Sequence, residues 1–146
     1  MGRSIKSIMG SRNMETYIIT TAVIRNKDKY LIAKRAATKK FAPNQWEFIS
    51  GFMDTPESSE ETIIREIKEE LGVKGNIIKK SNSFDIMDGD GKWTIIPLLV
   101  EIDTQDIQAN QEDHSEIKWV AASELNSYPD LKLFLDNKGI QEFLRN

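Results

Sequence analysis

The sequence predicts a mixed α+β or α/β sandwich. Runs of strand-like segments surround one clear helix, and a second helical pattern closes the chain. The length of 146 residues suits a single domain with its own core. No internal repeat, low-complexity tract or linker divides it.

The elements follow in order. Residues 1–14, "MGRSIKSIMGSRNM", predict a flexible, peripheral arm ahead of a domain over 15–146. Arg3, Lys6 and Arg12 stand there without the continuous apolar run of a secretion signal. Lys6 occupies the position where a myristoylation motif needs Ser or Thr. Met14 offers an alternative start, which would make the first thirteen residues an addition. "TYIITTAVIRN" (16–26) is rich in β-branched residues and reads as a strand apolar on both faces. "NKDK" is a turn, and "KYLIAKRA" (29–36) the returning strand of a hairpin. "WEFIS" (46–50) is a short strand running into Gly51. A helix is predicted over 59–71, with Ser58 or Ser59 as N-cap, Glu61 or Thr62 three residues on, and Gly72 as the stop. One strand is expected over 76–87, a turn at "DGDG" (88–91), and a strand over 93–103 whose Pro97 suggests an edge or a bulge. A strand over 116–122 precedes helix interrupted near Pro129 and Gly139.

Composition narrows the function. The formal net charge of -3 implies no nucleic-acid polymer as partner. No apolar run approaches the roughly 18 residues of a membrane span, so no membrane partner is expected. The absence of cysteine removes disulfides, thiolate metal sites and a cysteine nucleophile, and fits a cytoplasmic setting. A monomer or homodimer is expected.

The chemistry concentrates in "GFMDTPESSEETIIREIKEELGV" (51–73). On a helical wheel at roughly 100° per residue, Ile63, Ile64, Ile67 and Leu71 share one arc. Glu66, Glu69 and Glu70 share the neighbouring arc, spaced i, i+3 and i+4, with Arg65 beside Glu69. Each like-charge i,i+4 pair costs only about 0.2–0.5 kcal/mol on an exposed helix. A solvated acidic face is therefore the plain reading of three glutamates alone. This face, however, follows a strand end, a glycine and a polar loop, where an α/β site would open. Its hard oxygens suit Mg²⁺ or Mn²⁺, with backbone carbonyls nearby.

The same stretch resembles the Nudix box: Gly, five residues, Glu, seven residues, Arg-Glu, an aliphatic, any residue, Glu-Glu, any residue, Gly, an aliphatic. Gly51, Glu57, Arg65, Glu66, Ile67, Glu69, Glu70, Gly72 and Val73 match each fixed position. "AVIRNKDKYLIAKRA", "NQWEFISG" and "HSEIKWV" look like the flanking strands of MutT-like members. The resemblance implies a Nudix-type α/β/α sandwich with a mixed central sheet. It also implies a pyrophosphohydrolase that uses Mg²⁺ or Mn²⁺ on a nucleoside triphosphate or related nucleoside diphosphate derivative. Oxidised dGTP is one specific substrate of such enzymes. Glu66, Glu69 and Glu70 match metal-ligand positions, and a carbonyl of Ser50 or Gly51 completes the set. Glu57 and Arg65 match positions that brace loop against helix or assist the metal shell. Arg35 matches a phosphate-binding position. The proton acceptor varies within the family, and Glu69 and Glu112 are the candidates here.

Two departures bear on this. Ser50 stands where many members have glycine, which would be strained if φ had to be positive. Pro56 replaces another common glycine. The proline of ADP-ribose-cleaving members is missing, Pro97 coming too late, and so is the tyrosine of diadenosine-polyphosphate members. His114, the single histidine, reads as a loop or hydrogen-bonding residue. Trp46, Trp93, Phe84 and Trp119 read as core, with base stacking the second role. The alternative to an enzyme is a non-catalytic nucleotide-sensing module, against which the intact box argues.

Overall fold

The structure, a computed structural model, describes residues 5–9, 12–53 and 56–145, with side chains from residue 15 on. The remainder of the predicted arm, and positions 54 and 55 of the acidic loop, lie outside the described residues.

The chain forms one mixed sheet covered on both faces. Strand β1 (Ile5–Met9) pairs antiparallel with the start of β2 (Arg12–Asn26), so the described backbone of the arm is strand. Strand β2 organises the rest. Val23 turns to one face while Ala22 and Ile24 turn to the other, the period-2 pattern of a strand buried on both sides. A two-residue turn carries the chain into β3 (Lys29–Arg35), with Lys27 at φ 56°. Strand β4 (Trp46–Glu47) lies beside β3, and β5 (Ile49–Phe52) runs antiparallel to β2.

Helix α1 (Ser59–Leu71) buries Ile63, Ile67 and Leu71 against Ala22, Ile24 and Leu98, as the wheel predicts. Ser58 is the N-cap: its side chain accepts from Glu61 N while Glu61 Oε1 accepts from Ser58 N, a capping box. Gly72 ends the helix at φ 73°, a left-handed conformation that glycine adopts without steric cost.

Three expectations are corrected downstream. The single strand over 76–87 is two, β6 (Asn76–Lys80) and β7 (Phe84–Asp88). Both pair with the same edge of β8 (Gly91–Glu101), whose other edge runs parallel to β2. Pro97 therefore sits in an interior strand, neither at an edge nor in a bulge of its own. Its carbonyl accepts from Ser81 N, so its missing donor faces the gap where β6 gives way to β7. Strand β9 (His114–Ala121) begins two residues earlier than predicted and pairs with β3. At the carboxyl end, two 3₁₀ segments (Ala122–Ser127 and Pro129–Leu131) lead into α2 (Lys132–Leu135) and α3 (Lys138–Phe143). The helical stretch breaks at residues 136–137, just ahead of Gly139, which itself lies inside α3. A Cβ on Gly139 would fall 1.9 Å from Ser81 Oγ, so this glycine lets the helix approach the connection between β6 and β7. Leu125, Leu131, Ile140 and Phe143 cover the second face with Tyr30, Ile32, Phe48 and Leu99. Among the described residues no helix is long and apolar enough to cross a membrane.

Candidate active site

Strand β5 delivers the chain to the helix through Gly51. A Cβ on Gly51 would stand 2.4 Å from Glu66 Cγ and 2.8 Å from its Cδ. The glycine is needed for this close approach, since its φ lies outside the positive range. Ser50 is likewise absent from the positive-φ residues, so the serine brings no backbone strain. It hydrogen-bonds Thr21, Oγ to Oγ1, at 2.8 Å.

Along α1, Arg65 gathers the acidic residues. Its Nε and Nη2 donate to Glu57 Oε2 (2.9 Å) and Oε1 (3.0 Å), a two-pronged pair that ties loop to helix. Thr62 Oγ1 donates to the same Glu57 (3.0 Å). These hydrogen bonds, Arg65 first, hold the Glu57 carboxyl below its ordinary pKa. Arg65 Nη1 reaches Glu66 Oε2 at 3.1 Å and Glu69 Oε1 at 3.3 Å. Burial pushes the Glu66 carboxyl up, and Arg65 only partly offsets that. Glu69 is 58% exposed on its side chain.

Glu70 points elsewhere. It is 6% exposed and turns into the interior, where Oε2 accepts from Asn110 N (3.0 Å) and lies 3.0 Å from His114 Nδ1. The imidazole Nε2 sits 2.7 Å from Glu47 Oε2, and Arg35 Nη1 donates to both Glu47 oxygens at 3.2 Å. Arg35 Nε donates to the Phe41 carbonyl (2.7 Å). A register shift in the β3–β9 ladder brings Arg35 opposite His114. Burial lowers the His114 pKa, but the nearby Glu47 and Glu70 carboxylates outweigh this and raise it to about 9. Lys39 pairs with Asp113 at 2.8 Å beside them. Glu112 is exposed, its N–H bonded to Asn110 Oδ1.

A pocket of about 400 Å³ opens in front of this network. Arg35, Glu47, Ser50 and Gly51 line it, together with the aromatic rings of Phe41, Trp93 and Phe134. Trp93 stacks on Tyr17 with centroids 4.3 Å apart, and Phe41 meets it edge-on at 5.3 Å. Of the four aromatics singled out from the sequence, Trp93 alone lines the pocket. Trp46 packs on Tyr128, Phe84 on Phe134, and Trp119 against the core beneath α1.

The structure thus brings Glu57, Arg65, Glu66 and Glu69 into one cluster beside Gly51, and sets Arg35 and Ser50 on the pocket wall. Glu70 joins a second cluster that sequence reasoning missed: Glu47, His114 and the Asn110 N–H. One signal was available, since a lone histidine flanked by acids on a strand start is a candidate for burial with a partner.

The residues present suit a hard divalent cation. Glu66 and Glu69 already share one cationic nitrogen, and burial leaves Glu66 in need of positive charge. Among the described residues no three acidic or histidine side chains are arranged to hold a metal ion, and Glu70 faces His114 instead of Glu66 and Glu69.

Fold and site together define a class: an α/β/α sandwich in which one strand end, Gly51, both lines a pocket and abuts a glutamate of the helix that follows. The chain belongs to the Nudix family, the NUDIX domain model matching residues 16–144, and is a Nudix hydrolase. Members of this family generally use divalent metal ions. It is similar to the nucleoside triphosphatase NudI of Klebsiella pneumoniae (strain 342), with 30% identity over 143 residues, 87% of this chain and 99% of that protein. A shorter match, 33% identical over 64 residues, covers 44% of this chain and 47% of the CTP pyrophosphohydrolase of Escherichia coli K12. In fold it resembles the MutT protein of Methanosarcina mazei Go1, with a TM-score of 0.76 at 22% identity, covering 89% of this chain and 94% of that one.

Proposed function

We propose that the chain hydrolyses a nucleoside triphosphate, or a related nucleoside diphosphate derivative, to a nucleoside monophosphate and pyrophosphate. One observation carries this reading: Gly51, which lines the same pocket as Phe41 and Trp93, is the residue whose backbone abuts Glu66. A base against Phe41 and Trp93 then directs its phosphates past Arg35 toward the box helix. The names of the relatives support the same substrate class.

Each residue has work in this scheme. Arg35, fixed by Glu47 and the Phe41 carbonyl, presents its guanidinium to a phosphate. Glu66, Glu69 and Glu70, with a carbonyl of Gly51 or Ser50, would hold Mg²⁺ or Mn²⁺. When bound, the ion neutralises phosphate oxygens and lowers the pKa of water. Arg65 and Glu57 fix the helix side chains in register with the loop. Glu69, in the Arg65 cluster, or Glu112, on the loop that Glu70 grips through Asn110, accepts the proton of the attacking water. Phosphoryl transfer asks for this positioning and charge more than for covalent help.

A panel of nucleoside triphosphates, oxidised dGTP, ADP-ribose and a diadenosine polyphosphate, assayed with Mg²⁺ for pyrophosphate and phosphate release, tests the proposal. At least one triphosphate should yield pyrophosphate and monophosphate. A chelator should abolish turnover, and Mg²⁺ or Mn²⁺ should restore it. Full turnover under excess chelator, or no triphosphate cleaved, overturns the reading.

A further inference from the structure

The box pattern does not account for His114. It is 6% exposed, and its two nitrogens meet two carboxylates from different parts of the fold. Nε2 faces Glu47 of the pocket wall at 2.7 Å, and Nδ1 faces Glu70 of the box helix at 3.0 Å. The loop before it is tied to the helix end by main-chain bonds: Asn110 N donates to Glu70 O (3.0 Å), and His114 N donates to Asn110 O (2.9 Å). The imidazole is therefore placed by backbone, while the carboxylates it touches sit on longer side chains. The contacts of Glu70 with Asn110 N and His114 Nδ1 both fall on Oε2. The contact with Nδ1 is short in distance but off the hydrogen-bond axis, leaving that nitrogen the one buried side-chain polar atom without a hydrogen bond among the described residues. A buried nitrogen left this way is unfavourable, so a small rotation of Glu70 that lets it accept from Nδ1 would be rewarded.

We propose that His114 is a positioning residue that sets the direction of the Glu70 carboxylate from behind, and links it through Glu47 to Arg35 in the pocket. The proposal rests on the functional reading above, in which Glu70 is a metal ligand. Partners that orient a ligand typically change metal affinity or activity 10- to 100-fold when lost. On the far side, Glu47 holds Arg35, so a phosphate drawing on Arg35 and a cation drawing on Glu70 pull on opposite ends of one short chain of contacts.

Because His114 is the only histidine, its imidazole ¹⁵N resonances are assigned in the unaltered protein without mutagenesis. Titrating Mg²⁺ alone into the wild-type chain should shift the Nδ1 resonance saturably, with the midpoint that calorimetry gives for Mg²⁺. Bound Mg²⁺ with an unmoved imidazole overturns the positioning role while leaving the hydrolase reading intact. Absence of Mg²⁺ binding removes the metal reading and this inference with it. Two variants separate the nitrogens. His114→Asn keeps an amide near the Nδ1 position, toward Glu70, and His114→Gln keeps one near Nε2, toward Glu47. In His114→Gln, Mn²⁺ affinity and kcat should each fall about tenfold or more. In His114→Asn, both should hold within about threefold while KM rises, since Glu47 and Arg35 lose their brace. Equal changes in the two variants, or Mn²⁺ affinity unmoved in His114→Gln, overturn the proposal. Should His114→Gln fail to fold, the Mg²⁺ titration of the wild-type protein decides.

Discussion

Glu70 shows how a residue's meaning changes with its neighbours. On a bare helix, its nearest charged neighbour one turn back is Glu66, and removing its charge would relieve repulsion worth a few tenths of a kcal/mol. In the fold its carboxylate is buried against the Asn110 N–H and His114, so the sign reverses. Glu70→Gln should destabilise the metal-free protein by about 1–3 kcal/mol, because the charge that faces the imidazole is gone. It should also lower activity roughly 100-fold or more, about 2.7 kcal/mol of barrier at 1.36 kcal/mol per decade. Glu61→Gln is the matching control. Glu61 accepts from the Ser58 N–H, a bond that a glutamine oxygen also makes, so stability and turnover should both stay near wild type. Thermal melts and turnover on the best nucleotide, measured for both variants, check this. Equal activity in the two would leave Glu70 a structural residue only.

The join between β5 and α1 is where one element constrains another. Gly51 Cα lies so close to Glu66 that Gly51→Ala has no room for a methyl group unless Glu66 moves. Glu66 Cγ is the atom struck, and it lies mid-chain, so the carboxylate must leave its place beside Arg65. Overpacking of this kind costs about 1–3 kcal/mol in stability. The larger expected effect is on function: turnover and Mn²⁺ affinity should fall together, while helix content by circular dichroism stays unchanged. Retained Mn²⁺ affinity in Gly51→Ala would show that Glu66 is free to hold the ion from another position. The same join explains why Ser50 is tolerated. Its backbone needs no positive φ, and its hydroxyl meets Thr21 on β2.

At the scale of the whole molecule, the proposed metal site predicts a link between stability and metal. A cation held, as proposed, by residues from α1 and β5 would bind the folded chain and not the unfolded one. Mg²⁺ at about 100 times its dissociation constant should therefore stabilise the protein by roughly 2.7 kcal/mol. Unfolding followed in denaturant, with and without Mg²⁺, reads this directly, and Glu66→Gln should lose most of the increment. An equal increment in Glu66→Gln would place the ion elsewhere. The sandwich supports such a site because both faces of β2 are covered, Ile24 on one side and Val23 on the other, so Gly51, paired with Thr20 of β2, holds Glu66 against a rigid base.

Local pattern alone determined the helix over 59–71, its serine cap and glycine stop, the hairpin at residues 26–29 and the box spacing that identified the family. Each of these depends on residues within a turn or two of one another, where periodicity and side-chain chemistry suffice. Contacts distant in sequence decided the rest. Pro97 could sit in an interior strand only because β6 and β7 part opposite it, and a glycine stands inside α3 at Gly139 because Ser81 fills the space a Cβ would need. The three box glutamates look equivalent on a wheel, yet burial separated them: Glu69 to solvent, Glu66 to the Gly51 strand end, Glu70 to His114. That division depends on which elements pack against each flank of the helix, and no spacing within the helix encodes it.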